Sequence, residues 1–185
     1  MVAQTLGSKW IGLGHDVVLG TRDPGKLDDA KRFGSTLREW RAQTEHRGKV
    51  VTFREAAAHG DVVVNATSGL VSIDALRLAA QDRCLAEKIQ AEFPNLKVVK
   101  TLNTINALVM VNPKGVAGGD HTVFVSGNDA GAKAQVTELL KGFGWTDVLD
   151  LGNVSTARGP EMYMALWSRL WGATGTGNLN IKVQR

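Results

Sequence analysis

Short runs rich in valine and leucine alternate with helix-like segments along most of this chain, and this alternation constrains the fold more than any other feature. Each run is too short for a buried helix, and its β-branched content favours a strand. Apolar strands that alternate with helices predict a doubly wound α/β fold, in which a mostly parallel sheet has helices on both faces. The runs lie at residues 16–19, 50–53, 61–64, 97–102, 122–125 and 146–151.

The alternation is broken at two places. The chain opens directly with an amphipathic helical segment that stops near Gly14 and leads into the run 16–19,. Because a nucleotide-binding α/β fold normally begins with a strand before this helix, we expect the sheet to be incomplete at the N-terminus. Residues 72–94 are helical throughout, but their apolar phase slips near residues 81–84. This slip predicts two helices joined where a strand would normally stand.

A missing central strand would leave backbone N–H and C=O groups of its two neighbouring strands without hydrogen bonds. Each such group, if buried, would lower the stability of the fold by about 1–3 kcal/mol. We therefore expect one of two outcomes. Either the runs 16–19 and 61–64 pair directly with each other, or the chain is a fragment of a longer protein.

Composition and charge narrow the class of protein. With 185 residues, 43% of them hydrophobic, the chain predicts one ordinary globular domain over residues 1–185,. No apolar run approaches the roughly 20 residues of a membrane span, and no secretory signal pattern opens the chain, so we expect a cytoplasmic protein. The net charge of +4 is not gathered in a dense basic run. A local phosphate site explains it better than nucleic-acid binding.

The turn that follows the run 16–19 carries the clearest chemistry. In dinucleotide-binding folds an acid at the end of the second strand accepts hydrogen bonds from a ribose 2′-hydroxyl, whereas Arg accommodates a 2′-phosphate. This chain has Thr21 and Arg22 at that place, with Lys26 nearby and Asp23 as a predicted N-cap,. The pattern predicts selectivity for NADP(H), and the alternative is a polar strand-to-helix turn.

Residues 1–26 resemble the region after the glycine loop in NADP oxidoreductases related to the coenzyme F-420 (deazaflavin)-dependent NADP reductases. The resemblance implies a Rossmann-type enzyme that transfers hydride between NADP(H) and a deazaflavin, a flavin or another small acceptor. It also implies that Thr21, Arg22 and Lys26 contact the 2′-phosphate. Nearly the whole chain is covered, since the resemblance continues through residues 61–69, 97–110, 121–134 and 157–172.

Two further groups of cofactor-binding residues follow from the same resemblance. The turn that lies along the dinucleotide carries over to Ala66, Thr67 and Ser68. The strand end that faces the nicotinamide carries over to Leu102, Asn103 and Thr104. The alternatives are a helix cap for the first group and an ordinary strand-end turn for the second.

The chain also departs from the family. Members begin with a strand and a GxGxxG-type loop that binds pyrophosphate, whereas Met1 falls just past the second glycine of that pattern,. A non-catalytic or degenerate nucleotide-binding remnant is therefore the alternative function, and a basic nucleic-acid-binding protein ranks third. The four histidines lack metal-ligand spacing, so no metal site is predicted,.

Aromatic residues recur at helical spacing near the C-terminus. Tyr163, Trp167 and Trp171 stand four residues apart within the predicted helix 157–172. Such a row favours core packing or the interface of a homodimer over an aromatic cofactor site.

Overall fold

The computed structural model describes residues 1–27, 35–66 and 84–185. The predictions for Thr67, Ser68 and the break at residues 81–83 lie outside these described residues. The chain divides into two compact units, Met1–Ser68 and Gly69–Arg185, and each is considered by itself below. A single domain over residues 1–185 stays a prediction.

The first unit contains a parallel pair of strands with helices before, between and after them. In β1 and β2, Val18 lies opposite Lys49 and Thr21 lies opposite Thr52. Two parallel strands need a crossover connection, as the α/β prediction requires. The elements are α1 (Val2–Gly12), β1 (Val18–Thr21), α2 (Leu37–Gln43), β2 (Lys49–Thr52) and α3 (Phe53–His59).

Local sequence signals set the ends of these helices. Gly14, at φ 91°, ends α1, and its N–H donates to the carbonyl of Ile11 at 3.1 Å. Thr52 caps α3, since its hydroxyl accepts from the Glu55 N–H while the Glu55 carboxylate accepts from the Thr52 N–H,. The predicted stop of the first helix is therefore confirmed.

Trp40 forms the centre of the core in the first unit. It is 1% exposed and belongs to a buried cluster with Ile11 and Leu19. Its indole N–H lies 3.1 Å from the carbonyl oxygen of Gln4. The ring also requires a glycine at position 48, because a Cβ there would lie 2.2 Å from the Cη2 atom of Trp40.

Residues 61–64 form no strand, and this prediction was wrong. Val62, Val63 and Val64 are 41%, 61% and 46% exposed, and no described residue pairs with them in a ladder. The direct pairing of 16–19 with 61–64 is likewise not formed. The valine pattern suits a strand buried on both faces, but a strand forms only where a neighbour pairs with its backbone groups.

The second unit contains a three-stranded sheet in the order β3-β4-β5. Strands β4 and β5 are parallel, whereas β3 runs antiparallel to β4, with Val99 opposite Gly127 and Thr101 opposite Val125. Among the described strands, most pairings are thus parallel. The strands and longer helices are α4 (Leu85–Glu92), β3 (Val99–Thr101), α5 (Ala107–Val111), β4 (Val123–Gly127), α6 (Ala130–Phe143), β5 (Val148–Asp150), α7 (Arg158–Met162) and α8 (Met164–Thr174), with 3-10 turns at Pro113–Gly115, Ala117–Gly119 and Val154–Ala157.

The described units together confirm the predicted Rossmann-type α/β class.

The predicted helix 157–172 is divided at Tyr163 into α7 and α8. No residue of α8 is fully buried, and Leu166 and Trp171 are 54% and 47% exposed. A role for this helix in a homodimer stays a prediction. None of the helices described is long and apolar enough to cross a membrane.

The C-terminal segment, residues 175–185, is fastened to the second unit through Asp147. One carboxylate oxygen of Asp147 accepts from the Thr122 hydroxyl at 2.6 Å and from Lys182 Nζ at 3.1 Å, and the other accepts from Arg185 Nη2 at 2.7 Å. These bonds, the one from Thr122 above all, lower the pKa of the Asp147 carboxyl to about 2. This largely buried carboxylate therefore helps to anchor the segment, together with backbone and side-chain hydrogen bonds between Thr122 and residues 180–183.

Candidate functional site

The turn after β1 presents two cations and a hydroxyl in the first unit. Thr21 is the last residue of β1, and Arg22 and Lys26 are exposed. The Lys26 ammonium lies 3.9 Å from the Asp23 carboxylate, and the two side chains are 68% and 53% exposed. An exposed pair at this distance contributes little stability. Both cations can thus serve an anion that approaches from solvent.

Asp23 stabilises this turn through hydrogen bonds to its backbone. Its carboxylate accepts from the Gly25 N–H at 2.9 Å, and its carbonyl accepts from the Lys26 N–H at 3.2 Å. Asp23 was predicted to cap a helix that follows it, but residues 24–27 lie in a turn, so it caps no helix among the described residues. In the turn as described, the carboxylate is engaged with the backbone, and Arg22 is the charged side chain at the strand end.

The turn along the dinucleotide is described only at its first residue. Ala66 is half-buried and follows the exposed valines 62–64. Its predicted companions Thr67 and Ser68 lie in the part of the chain that is not described. Their proposed role stays a prediction.

The turn after β3, in the second unit, has an unusual backbone. Leu102 has a φ of 65°, a left-handed conformation that costs a non-glycine residue about 1–2 kcal/mol,. Asn103 Nδ2 donates to the carbonyl of Pro160 at 2.8 Å. Thr104 is 2% exposed, so its side chain lies in the interior. Leu102 and Asn103 are half-buried and form the accessible part of this turn.

Helix α7 is fastened beside this turn by charged groups. Lys100 Nζ lies 3.0 Å from the Glu161 carboxylate, with the side chains only 24% and 16% exposed. Arg158 donates two hydrogen bonds of 2.7 Å to Glu87 at the start of α4. The guanidinium of Arg158 lowers the pKa of the Glu87 carboxyl to about 2. This paired geometry gives α7 a fixed orientation.

The break between α7 and α8 brings further polar groups to this region. The Tyr163 hydroxyl and the Trp167 indole N–H are buried and have no hydrogen-bond partner among the described residues. Burial also raises the pKa of the Tyr163 phenol. Tyr163 stands two residues after Glu161, and Trp167 follows about one turn later in α8.

Sequence reasoning missed the residues that support the turn after β3. Lys100 follows two valines and is the one charged residue of β3, and Glu161 is the sole acid within residues 157–172. Each was a signal that a charge is held in an apolar setting and needs a partner. Their pairing joins positions too distant in the chain for a local pattern to connect.

The predicted site residues fall into two groups. Thr21, Arg22, Lys26 and Ala66 belong to the first unit, and Leu102, Asn103 and Thr104 belong to the second. Within the described ranges no three His, Cys, Asp or Glu residues are grouped as metal ligands.

No protein-family model matches the chain. A solved structure of a proposed coenzyme F-420-dependent NADP reductase from Arthrobacter sp. FB24 is 42% identical, with a TM-score of 0.87 over 100% of this chain and 95% of that one. A hypothetical protein, SMa0349 from Sinorhizobium meliloti, is 22% identical with a TM-score of 0.57, over 83% of this chain and 82% of that one. This second likeness supports the fold alone.

Among curated proteins, the metalloreductase STEAP3 of Rattus norvegicus is 28% identical over 168 residues. The match covers 86% of this chain and 33% of the rat protein, so the chain spans about a third of that relative's length. The Arthrobacter protein, in contrast, is matched along nearly its entire length at 42% identity. This chain therefore belongs to the NADP oxidoreductase family related to the coenzyme F-420-dependent NADP reductases.

Proposed function

We propose that this member of the NADP oxidoreductase family transfers hydride between NADP(H) and a deazaflavin of the F-420 type. When bound, the reduced nicotinamide gives up a hydride to the acceptor, which also takes a proton, and NADP⁺ remains. The description of the Arthrobacter relative as F-420-dependent supports this acceptor. A flavin is the alternative acceptor.

The observation that carries the proposal is the exposed turn after β1. A 2′-phosphate is a dianion, and the planar fork of Arg22 can donate two parallel hydrogen bonds to it. The Lys26 ammonium adds a second positive charge, and the Thr21 hydroxyl can donate at the strand end. The carboxylate of Asp23 is already engaged with the Gly25 N–H. The turn thus fits a phosphate better than a free ribose hydroxyl.

The substitution Arg22→Asp tests cofactor selectivity. Loss of a charged hydrogen-bonded partner costs about 2–3 kcal/mol, so we expect the Kd for NADPH to rise about 30- to 150-fold. The Kd for NADH should change less than about threefold. Lys49→Asp is the matched control, because it makes the same change in charge at the opposite end of the strand pair, where Lys49 is exposed.

Fluorescence titration of the reduced nicotinamide measures both constants. Equal losses for NADPH and NADH in the Arg22→Asp variant would contradict the proposed phosphate contact. The proposal would also be contradicted if Lys49→Asp changed the ratio of the Kd values for NADPH and NADH as much as Arg22→Asp does.

A nucleotide-binding protein without catalytic activity is the second candidate. It is favoured by the exposure of Val62–Val64, since the strand predicted here is not formed and no described residue pairs with this stretch. Absorbance of NADPH at about 340 nm, followed with F-420 or FMN as acceptor, separates the two candidates. Binding without oxidation of NADPH by either acceptor would support the non-catalytic alternative.

A further inference from the structure

Helix α7 is attached to its surroundings at three of its five residues. Arg158 binds Glu87, the carbonyl of Pro160 accepts from Asn103, and Glu161 pairs with Lys100. The first attachment leads to α4, whereas the other two lead to β3 and the turn that follows it. A five-residue helix is not stable by itself, so these contacts fix where α7 lies,.

Leu102 lies between the two residues of β3 and its turn that bind α7. Lys100 precedes Leu102 by two positions, and Asn103 follows it directly. Leu102 itself holds the left-handed φ of 65° that leucine seldom adopts,. Helix α7 therefore contacts the chain on both sides of Leu102, at Lys100 and at Asn103. Strain of this kind persists only where the surroundings impose it, and it is concentrated at functional sites.

The ion pair is formed where solvent is largely excluded. Lys100 and Glu161 are 24% and 16% exposed, and removing either partner would leave the other charge poorly solvated,. Burying two charges costs desolvation free energy, so the pair adds little net stability. Its defined geometry nevertheless fixes the position of α7. Asn103 complements it with a directional hydrogen bond of 2.8 Å to Pro160.

We infer that Asn103 and Glu161 are positioning residues, which act through α7 to hold Leu102 in the backbone conformation needed for hydride transfer. The inference rests on the proposed function and on the predicted placement of this turn against the nicotinamide. Asn103 is among the predicted cofactor-binding residues, but its amide donates to the Pro160 carbonyl, and the affinity for NADPH is assigned to Arg22 and Lys26. Loosening the turn should therefore lower kcat and leave the affinity for NADPH nearly unchanged.

The test compares Asn103→Ala and Glu161→Gln with a matched control, Asn128→Ala. Asn128 Oδ1 accepts from the Val154 N–H at 3.0 Å, and so holds the segment just before α7 through a hydrogen bond that does not involve the turn. We expect Asn103→Ala to lower kcat with NADPH and F-420 at least tenfold and Glu161→Gln at least threefold. The Kd for NADPH should stay within threefold of the unmodified protein.

The control distinguishes positioning from general loosening. Asn128→Ala should lower the melting temperature about as much as Asn103→Ala while kcat stays within twofold. A second readout does not depend on turnover: the fluorescence emission of bound NADPH should change in the two turn variants and not in the control. If all three variants have the same kcat and emission, the inference is overturned.

Failure of the proposed function is recognised separately. It appears as no NADPH binding or no oxidation of NADPH by the unmodified chain. If the unmodified chain is active and the Asn103 and Glu161 variants match Asn128→Ala, the positioning role alone fails. A large rise in the Kd for NADPH in Asn103→Ala would also overturn it, since the residue would then contribute to binding.

Discussion

The pair between Glu87 and Arg158 should be a measurable source of stability in the second unit. The Glu87 side chain is 12% exposed and accepts both donors of the Arg158 guanidinium at 2.7 Å. This guanidinium, with help from the Cys84 N–H, lowers the pKa of the carboxyl from 4.5 to about 2. Glu87→Gln keeps the size of the side chain and removes its charge, so it isolates this effect.

The magnitude follows from the pKa values. At about 1.4 kcal/mol per pKa unit, the fall of the pKa from 4.5 to about 2 corresponds to at most about 3.5 kcal/mol,. Arg158 is 42% exposed, so water and salt screen part of the interaction,. We therefore expect Glu87→Gln to lower the free energy of unfolding by about 1–2 kcal/mol at pH 7.

The pH dependence gives the sharper test. Because the pKa is lower in the folded state, the stabilisation is fully present above the unfolded value of 4.5 and is lost as the pH falls through about 2,. The difference between the unmodified protein and Glu87→Gln should therefore shrink between these two values. Urea unfolding followed by circular dichroism measures it at each pH.

Glu92→Gln serves as the control, since Glu92 is exposed near the end of the same helix. It should alter the free energy of unfolding by less than about 0.5 kcal/mol. Equal stability of Glu87→Gln and the unmodified protein at pH 7 would refute the reasoning. So would a difference between them that does not change with pH.

Two further substitutions test the core and the C-terminal segment. Gly48→Ala should destabilise the protein by about 2 kcal/mol or more, because the added methyl group would overlap the Trp40 ring,. In the control Gly12→Ala nothing lies within 4 Å of the added group, so the melting temperature should stay the same or rise, and equal losses would contradict the packing,. Asp147→Asn should speed amide exchange in residues 175–185 at pH 7. Its effect should fade as the pH falls from 3.8 through about 2, since the folded pKa is lowered, and unchanged exchange at pH 7 would contradict the anchoring role,.

The sequence predicts the fold class because its signals are local. Valine-rich runs such as 50–53 and 122–125 indicate strands on their own, and both overlap strands of the structure. The stop of the first helix at Gly14 and the position of Arg22 at the end of β1 are likewise fixed by a few neighbouring residues. Patterns of this kind depend on backbone preferences and side-chain periodicity, which act over one or two turns of chain.

Only the tertiary structure decides which of these signals are realised and which residues meet. Residues 61–64 have the composition of a strand, yet a ladder requires a partner, and none of the described residues supplies one. Asn103 meets Pro160 across 57 positions, and Lys100 meets Glu161 across a similar span, so no local pattern could pair them. Leucine by itself disfavours the left-handed backbone of Leu102, so this conformation depends on the surrounding structure,. The sequence therefore determines which elements can form, and the long-range contacts determine the geometry of the turn after β3.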